Sequence, residues 1–134
     1  MDRPLSVFDI AGRAMSAQLV RLNTTASNLA NAGTVSSTRE NAFRALRPVF
    51  RAEEGAPGIA TVSVDRVVQA QIEPTRRHDP NHPLADANGD VWEAGVDTAA
   101  ELIEMVESAR QYQNNVQVLQ TAKTLTLDTL RLGQ

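Results

Sequence analysis

Two histidines and an aspartate lie within His78-Asp79-Pro80-Asn81-His82-Pro83, a composition that could hold a metal ion and activate water for hydrolysis. That chemistry needs several strong ligands converging on one point. Pro80 and Pro83 keep the stretch extended, and the helical HExxH spacing that sets two histidines on one face is absent. A surface loop ordered by proline and asparagine turns accounts for the same residues, and no metal or cofactor is expected. Asp86, Asn88 and Asp90 begin like a calcium loop but lack its full spacing and closing glutamate, so Asn88-Gly89 reads as a tight turn. Arg39, Arg44, Arg47 and Arg51 stand near Phe43 and Phe50, a mixture that can bind single-stranded nucleic acid. Glu40, Glu53 and Glu54 dilute that charge, so ion pairs to a neighbouring subunit are the better reading and no nucleic-acid partner is expected. Ser16 and Ser27 have no histidine nearby in sequence to activate them, and a nucleophile triad has no support.

The elements that must carry these groups are dominated by two helices at the ends. Pro4 and Ser6 offer a helix start, with Ser6 as N-cap and Asp9 in the first turn. Phe8, Met15, Leu19, Leu22, Ala26 and Leu29 then recur at heptad spacing, with Gly12 in the one gap and Gly33 as the stop. Arg13, Gln18, Arg21 and Asn28 occupy the opposite face. The second helix begins near Asp97 or Thr98, where Thr98 and Glu101 form a capping-box pattern. Glu101, Glu104 and Glu107 near its start, with Lys123 and Arg131 near its end, match the helix dipole.

Leu102, Val106, Ala109, Val116 and Leu119 form one stripe on this helix, and Val118, Ala122, Leu125 and Leu132 form another, rotated from it. A helix with two offset stripes touches more than one neighbour, which one short chain has difficulty supplying. Asn23, Asn28, Asn31, Asn114 and Asn115 lie on or beside these seams. They are either solvated helix surface or buried amides that set the register between packed helices.

Residues 34–95 contain five of the six prolines, at 48, 57, 74, 80 and 83, and read as short strands and turns. Strands are expected over Phe43–Phe50, over Ala60–Asp65 with Val67–Ile72 as its second half or neighbour, and at Ala85 and Val91 flanking Asn88-Gly89. The Glu53–Gly58 stretch reads as a turn. The expected fold is therefore α+β: two long terminal helices packed as an antiparallel coiled-coil hairpin, with a small β-rich insert between them. Residues 1–33 and 96–134 would form a discontinuous helical assembly domain and residues 34–95 the insert.

The chain has 134 residues, the length of one ordinary domain, and a net charge of −3, too mild to imply a nucleic-acid or membrane partner on electrostatics alone. Aromatics make up 4%, with Trp92 and Tyr112 the only Trp and Tyr, so small aliphatic side chains must form the seams. Cysteine is absent, which excludes disulfide and thiolate chemistry. No window approaches the roughly 18 apolar residues of a membrane span, so no direct membrane insertion is expected. Met1-Asp2-Arg3-Pro4 lacks the basic and apolar segments of a cleaved secretory signal.

Thr25-Ala26-Ser27-Asn28-Leu29-Ala30-Asn31-Ala32-Gly33-Thr34 resembles the N-terminal signature of the bacterial flagellar rod and hook family. Val96-Asp97, Glu101, Ala109-Arg110-Gln111-Tyr112-Gln113-Asn114-Asn115-Val116 and Leu119 resemble its C-terminal signature. Within that family the chain is most similar to a proximal basal-body rod protein, on His82-Pro83-Leu84-Ala85-Asp86, Gly89, Val91 and the ending Thr129-Leu130-Arg131-Leu132-Gly133-Gln134. Asp90 departs from the usual aromatic, and Ala94-Gly95 from a usual Pro-Asn.

The resemblance implies a non-enzymatic subunit of the flagellar basal-body rod in the periplasmic space, polymerising through its terminal helices into the helical shaft that transmits torque. It implies export by the flagellar type III apparatus without signal cleavage, and partners that are copies of itself and other rod proteins. The expected assembly interface is Phe8, Met15, Leu19, Leu22, Asn28, Leu29 and Asn31 on the first helix. On the second it is Leu102, Val106, Tyr112, Asn115, Val116, Leu119, Leu125 and Leu132. The alternatives are a cytoplasmic coiled-coil adaptor or export chaperone, and a small metal hydrolase using His78, Asp79 and His82.

Overall fold

A computed structural model describes residues 5–134; the expected helix start at Pro4 and the signal-poor Met1–Pro4 segment lie outside the described residues. Helix α1 spans Val7–Asn31. Ser6 Oγ accepts the Asp9 amide at 3.1 Å while Asp9 Oδ2 accepts the Ser6 amide at 2.9 Å, a reciprocal capping box that satisfies two otherwise orphaned donors. The helix stops without a left-handed residue. Ala32 stays right-handed and Thr34 closes the end on the Asn31 carbonyl, whereas Gly33 is not among the positive-φ glycines, Gly58 and Gly89. The expected glycine stop is thus replaced by a Thr34 cap.

Helix α2 spans Thr98–Leu132, 35 residues against 25 in α1. Its N-cap is Asp97, whose side chain accepts the Ala100 amide at 3.2 Å. The expected Thr98–Glu101 capping box is not formed, because the Glu101 side chain points into the interior, fully buried. Asn28 lies beside Glu101, Arg21 beside Glu104, and Val7 shares a groove with Val118, so the helices run antiparallel. The surplus length carries the last turns of α2 beyond the start of α1.

Between the helices run β1 (Val35–Ser36), β2 (Leu46–Glu54), β3 (Ala60–Gln69), β4 (Thr75–His78) and β5 (Asp90–Glu93). Strands β2 and β3 form an antiparallel hairpin with a bulge between Val49 and Phe50, next to Pro48. Its turn is closed by Gly55 N–H to the Ile59 carbonyl at 2.9 Å and uses Gly58 at φ +79°. The strand expected from Phe43 starts instead at Leu46, since Phe43 and Ala45 bond backbone-to-backbone with Gly95 at 2.7 and 3.0 Å. The two expected segments after Ala60 are one continuous strand that ends at Gln69, short of Ile72.

The remaining strands form an antiparallel sheet in the order β1-β5-β4. Ala85 is not in a strand. It turns back on His82 within the loop between β4 and β5, and the partner of Val91 is Arg77 of β4. At the entry to α2 the backbones crowd: a Cβ on Gly95 would stand 2.3 Å from the Ile72 carbonyl oxygen, which accounts for a glycine there.

Helix α1 packs on α2 along one flank and on β2 and β3 along another. The buried apolar residues among those described are small: Ala11, Ala17, Ala42, Ala45, Val91 and Ala94. The largest fully buried side chains include Glu101, Asn28 and Ser108. Large apolar residues lie outside, with Ile103 69% and Leu132 87% exposed. The usual partition of a soluble monomer is inverted along the helices.

Candidate assembly interface

The seam between the helices is closed by polar groups. Asn28 Nδ2 donates to the Leu46 carbonyl at 2.9 Å and to Glu101 Oε2 at 3.1 Å, while its Oδ1 accepts the Leu46 amide at 2.8 Å. The amide side chain thereby stands in for a strand partner and pins the first residue of β2 to α1. The Arg47 guanidinium stands 2.5 Å from Glu101 Oε1. It compensates the charge without the alignment of a hydrogen bond, so that oxygen has an ion-pair partner and no hydrogen-bond donor. Seven residues before Asn28 on α1, Arg21 grips Glu104 with both Nε and Nη2, at 2.8 and 2.9 Å. The hydrogen bond from Arg21 is the main reason that the Glu104 carboxyl titrates below its ordinary range. Farther along, Ser108 is fully buried and bonds back to the Glu104 carbonyl at 2.7 Å.

With α1 held this way, much of its apolar stripe lies between its two neighbours, although Phe8 borders the groove against β3. Gly12, Arg13, Ala17 and Val20 border the groove against Val62, Ser63 and Val64 of β3, and Arg21 and Asn28 face α2. At 3.6 residues per turn, Met15, Leu19, Leu22 and Ala26 fall between these two flanks. Phe8 and Leu19 are 42% and 44% exposed, Ala26 is exposed, and Met15, Leu22 and Leu29 are half-buried.

On α2 the residues turned toward α1 include Glu101, Ser108, Tyr112, Asn115 and Leu119, which recur at heptad spacing. Tyr112, Asn115, Val116 and Leu119 are half-buried, while Leu102, Val106, Leu125 and Leu132 are exposed. Asn28 is fully buried within the subunit, and Asn31 is half-buried with its Nδ2 on the Ser27 carbonyl at 2.9 Å.

Sequence reasoning missed the roles of Arg47 and Glu101, and the exposed Ile103, Leu127 and Leu130. The available signal was the run of small and polar residues at heptad spacing through Glu101, Ser108 and Asn115. A polar seam on one side of α2 leaves its large apolar residues to face elsewhere.

The histidine loop is occupied by structural bonds. His78 Nδ1 pairs with Asp90 Oδ1 at 2.9 Å, and His82 Nδ1 accepts the Leu84 amide at 3.0 Å. Among the described residues no group of three or more His, Cys, Asp or Glu is placed to hold a metal ion. Asp86 Oδ1 accepts the Asn88 and Asp90 amides at 2.8 and 3.0 Å, making the Asn88-Gly89 turn, with Gly89 at φ +77°.

A polar clasp closes the inside of the helix pair and apolar stripes lie outside it. Two family models match the chain at its helical ends: "Flagella basal body rod protein" over residues 8–35 and "Flagellar basal body rod FlgEFG protein C-terminal" over residues 87–132. The chain is 45% identical over 132 residues to the flagellar basal-body rod protein FlgC of Salmonella typhimurium, covering 97% of this chain and 98% of that one. It is 44% identical over 133 residues to FlgC of Yersinia enterocolitica, and 32% identical over 133 residues to FlgC of Buchnera aphidicola subsp. Acyrthosiphon pisum, with the same shares covered. The chain belongs to the flagellar basal-body rod family, as a FlgC-like structural subunit and not an enzyme.

Proposed function

We propose that the subunit polymerises through the outer faces of its terminal helices into the helical axial shaft that carries motor torque. The observation that supports this most is the placement of large apolar residues. Phe8, Met15, Leu19, Leu22 and Leu29 on α1, with Leu102, Val106, Leu125 and Leu132 on α2, lie outside a seam closed by Asn28, Glu101 and Ser108. Contiguous exposed apolar surface on a folded chain marks an interaction site. Contacts that repeat head-to-tail without closing build a filament.

In this reading residues 1–33 and 96–134 form one discontinuous assembly domain, paired as an antiparallel coiled coil. Residues 34–95 are an insert carried on it. Tyr112, Asn115, Val116 and Leu119 line the inner seam, and Asn28 and Asn31 shape the end of α1. The partners are copies of this chain and other rod proteins, and the flagellar type III apparatus exports it without cleaving a signal. No helix among the described residues is long and apolar enough to cross a membrane. Charged substitution of the outer stripe tests the reading. Leu19→Asp expressed in a null background leaves the subunit folded and exported and blocks the rod, so that cells are non-motile. Normal rods built from Leu19→Asp would overturn it.

A further inference from the structure

We propose that Asn28, Arg47 and Glu101 form a latch that makes the orientation of the β2–β3 hairpin conditional on the pairing of the two terminal helices. The three residues come from α1, β2 and the first turn of α2. Asn28 satisfies both backbone groups of Leu46, and one donor of the same side chain reaches Glu101. Glu101 is 0% exposed, and among the described residues the cation paired with it is Arg47, the next residue of β2. If α2 leaves α1, Glu101 goes with it. Arg47 then loses its ion-pair partner and keeps only its bond to the Leu46 carbonyl, and Asn28 loses the carboxylate that orients its amide. Conversely, a hairpin that swings away leaves a buried carboxylate uncompensated, which expels Glu101 and opens the helix pair.

Asn28 and Glu101 are fully buried in the inner seam and Arg47 pairs with Glu101 there, so the three are positioning residues. They act on how the hairpin is presented while α1 and α2 are closed. Hairpin orientation and helix pairing are two sites coupled by one buried charge, and the coupling is reciprocal. A subunit whose ends have not yet met therefore carries its hairpin unlatched, and closure of the ends sets it. This goes beyond the assembly reading and does not depend on it, since the latch is read in the isolated chain.

The absence of cysteine allows two labels to be placed cleanly, at Arg66→Cys on β3 and Glu107→Cys on α2. Electron paramagnetic resonance on the full chain reads the distance between them. The labelled parent gives one narrow distribution. Arg47→Met, which strands the buried Glu101, broadens it at neutral pH. Arg47→Met with Glu101→Gln removes both charges, keeps an acceptor for Asn28 Nδ2, and restores the narrow distribution. Asn28→Leu broadens it with the helix content by circular dichroism unchanged. A narrow distribution in Arg47→Met and in Asn28→Leu overturns the latch. So does broadening in the double variant equal to that in Arg47→Met, because loss of packing alone would then explain both.

Discussion

Asn28 and Glu101 are separated by 73 residues in the chain and meet at 3.1 Å, each with no exposed surface. This contact joins the N-terminal signature of the family to its C-terminal one inside a single subunit. It turns one polar residue from each helix inward, which leaves the large apolar residues on the outside.

Removing the Asn28 side chain should therefore be felt as strongly as a core truncation. Asn28→Ala takes the acceptor from the Leu46 amide and the donor from a buried Glu101 carboxylate oxygen, each a penalty of about 1–3 kcal/mol before relaxation and water entry, while the Leu46 carbonyl keeps Arg47 Nη1 at 3.2 Å. The expected loss in a urea unfolding experiment is about 2–4 kcal/mol, at the upper end for a single polar substitution. A loss within the range of ordinary surface substitutions would mean that the contact is not closed in solution.

The outer stripe should behave in the opposite way. Leu19 is 44% exposed and touches the solvent side of α1, so Leu19→Asp should change unfolding free energy by about 0.5 kcal/mol or less while abolishing assembly. The pair of measurements, monomer stability and rod formation, separates a folding residue from an interface residue. Asn28→Ala and Leu19→Asp should fall at opposite corners of that plot.

The helix pair should weaken in acid. The hydrogen bond and charge of Arg21 hold the Glu104 carboxyl below its ordinary value of 4.5. A depressed carboxylate contributes stability above its unfolded value, and that stability is lost as pH falls through the folded value. The contribution is about 1 kcal/mol or less because both groups keep contact with solvent. Comparing unfolding at pH 6 and at pH 3, Glu104→Gln should lose less stability than the parent. An identical acid response in both chains would assign the loss elsewhere.

Gly95 should tolerate no side chain. A Cβ there would meet the Ile72 carbonyl oxygen, which is backbone and cannot rotate away. Gly95→Ala should lower stability by about 1–3 kcal/mol, as overpacking does, and should disturb the bonds that Phe43 and Ala45 make with residue 95. Thermal unfolding together with amide chemical shifts at 43–45 and 94–96 reads both effects.

The isolated subunit should be firm at the clasp and loose beyond it. Residues 123–134 are exposed throughout, and α2 continues in this stretch beyond Leu125 and Thr126, which share a groove with Val7 at the start of α1. Their amides should exchange with solvent orders of magnitude faster than those of residues 101–115, because local opening there exposes no buried surface. Equal protection along the whole of α2 in a verified monomer would show that this end already has a partner.

What could be read from the sequence was whatever is set by near neighbours. The Ser6–Asp9 cap joins residues three apart and forms as expected. The heptad recurrence of Phe8, Met15, Leu19 and Leu22 identified a stripe, since periodicity is a property of one helix. It could not say which side of the helix the rest of the subunit would take. The partner of Glu101 is beyond any local rule: its spacing from Thr98 imitates a capping box, while the group that claims it lies 73 residues away. Likewise Asn88-Gly89 marked its turn, but only the sheet pairing shows that Val91 answers to Arg77 and not to Ala85.

The most direct measurement is a map of the assembled basal body at side-chain resolution with this chain placed in the rod. Phe8, Leu19, Ile103 and Leu125 buried against neighbouring subunits, with Asn28 and Glu101 still paired inside one chain, is the expected result. A rod in which those four side chains face solvent, or in which Glu101 is paired with a neighbour's helix, would contradict it.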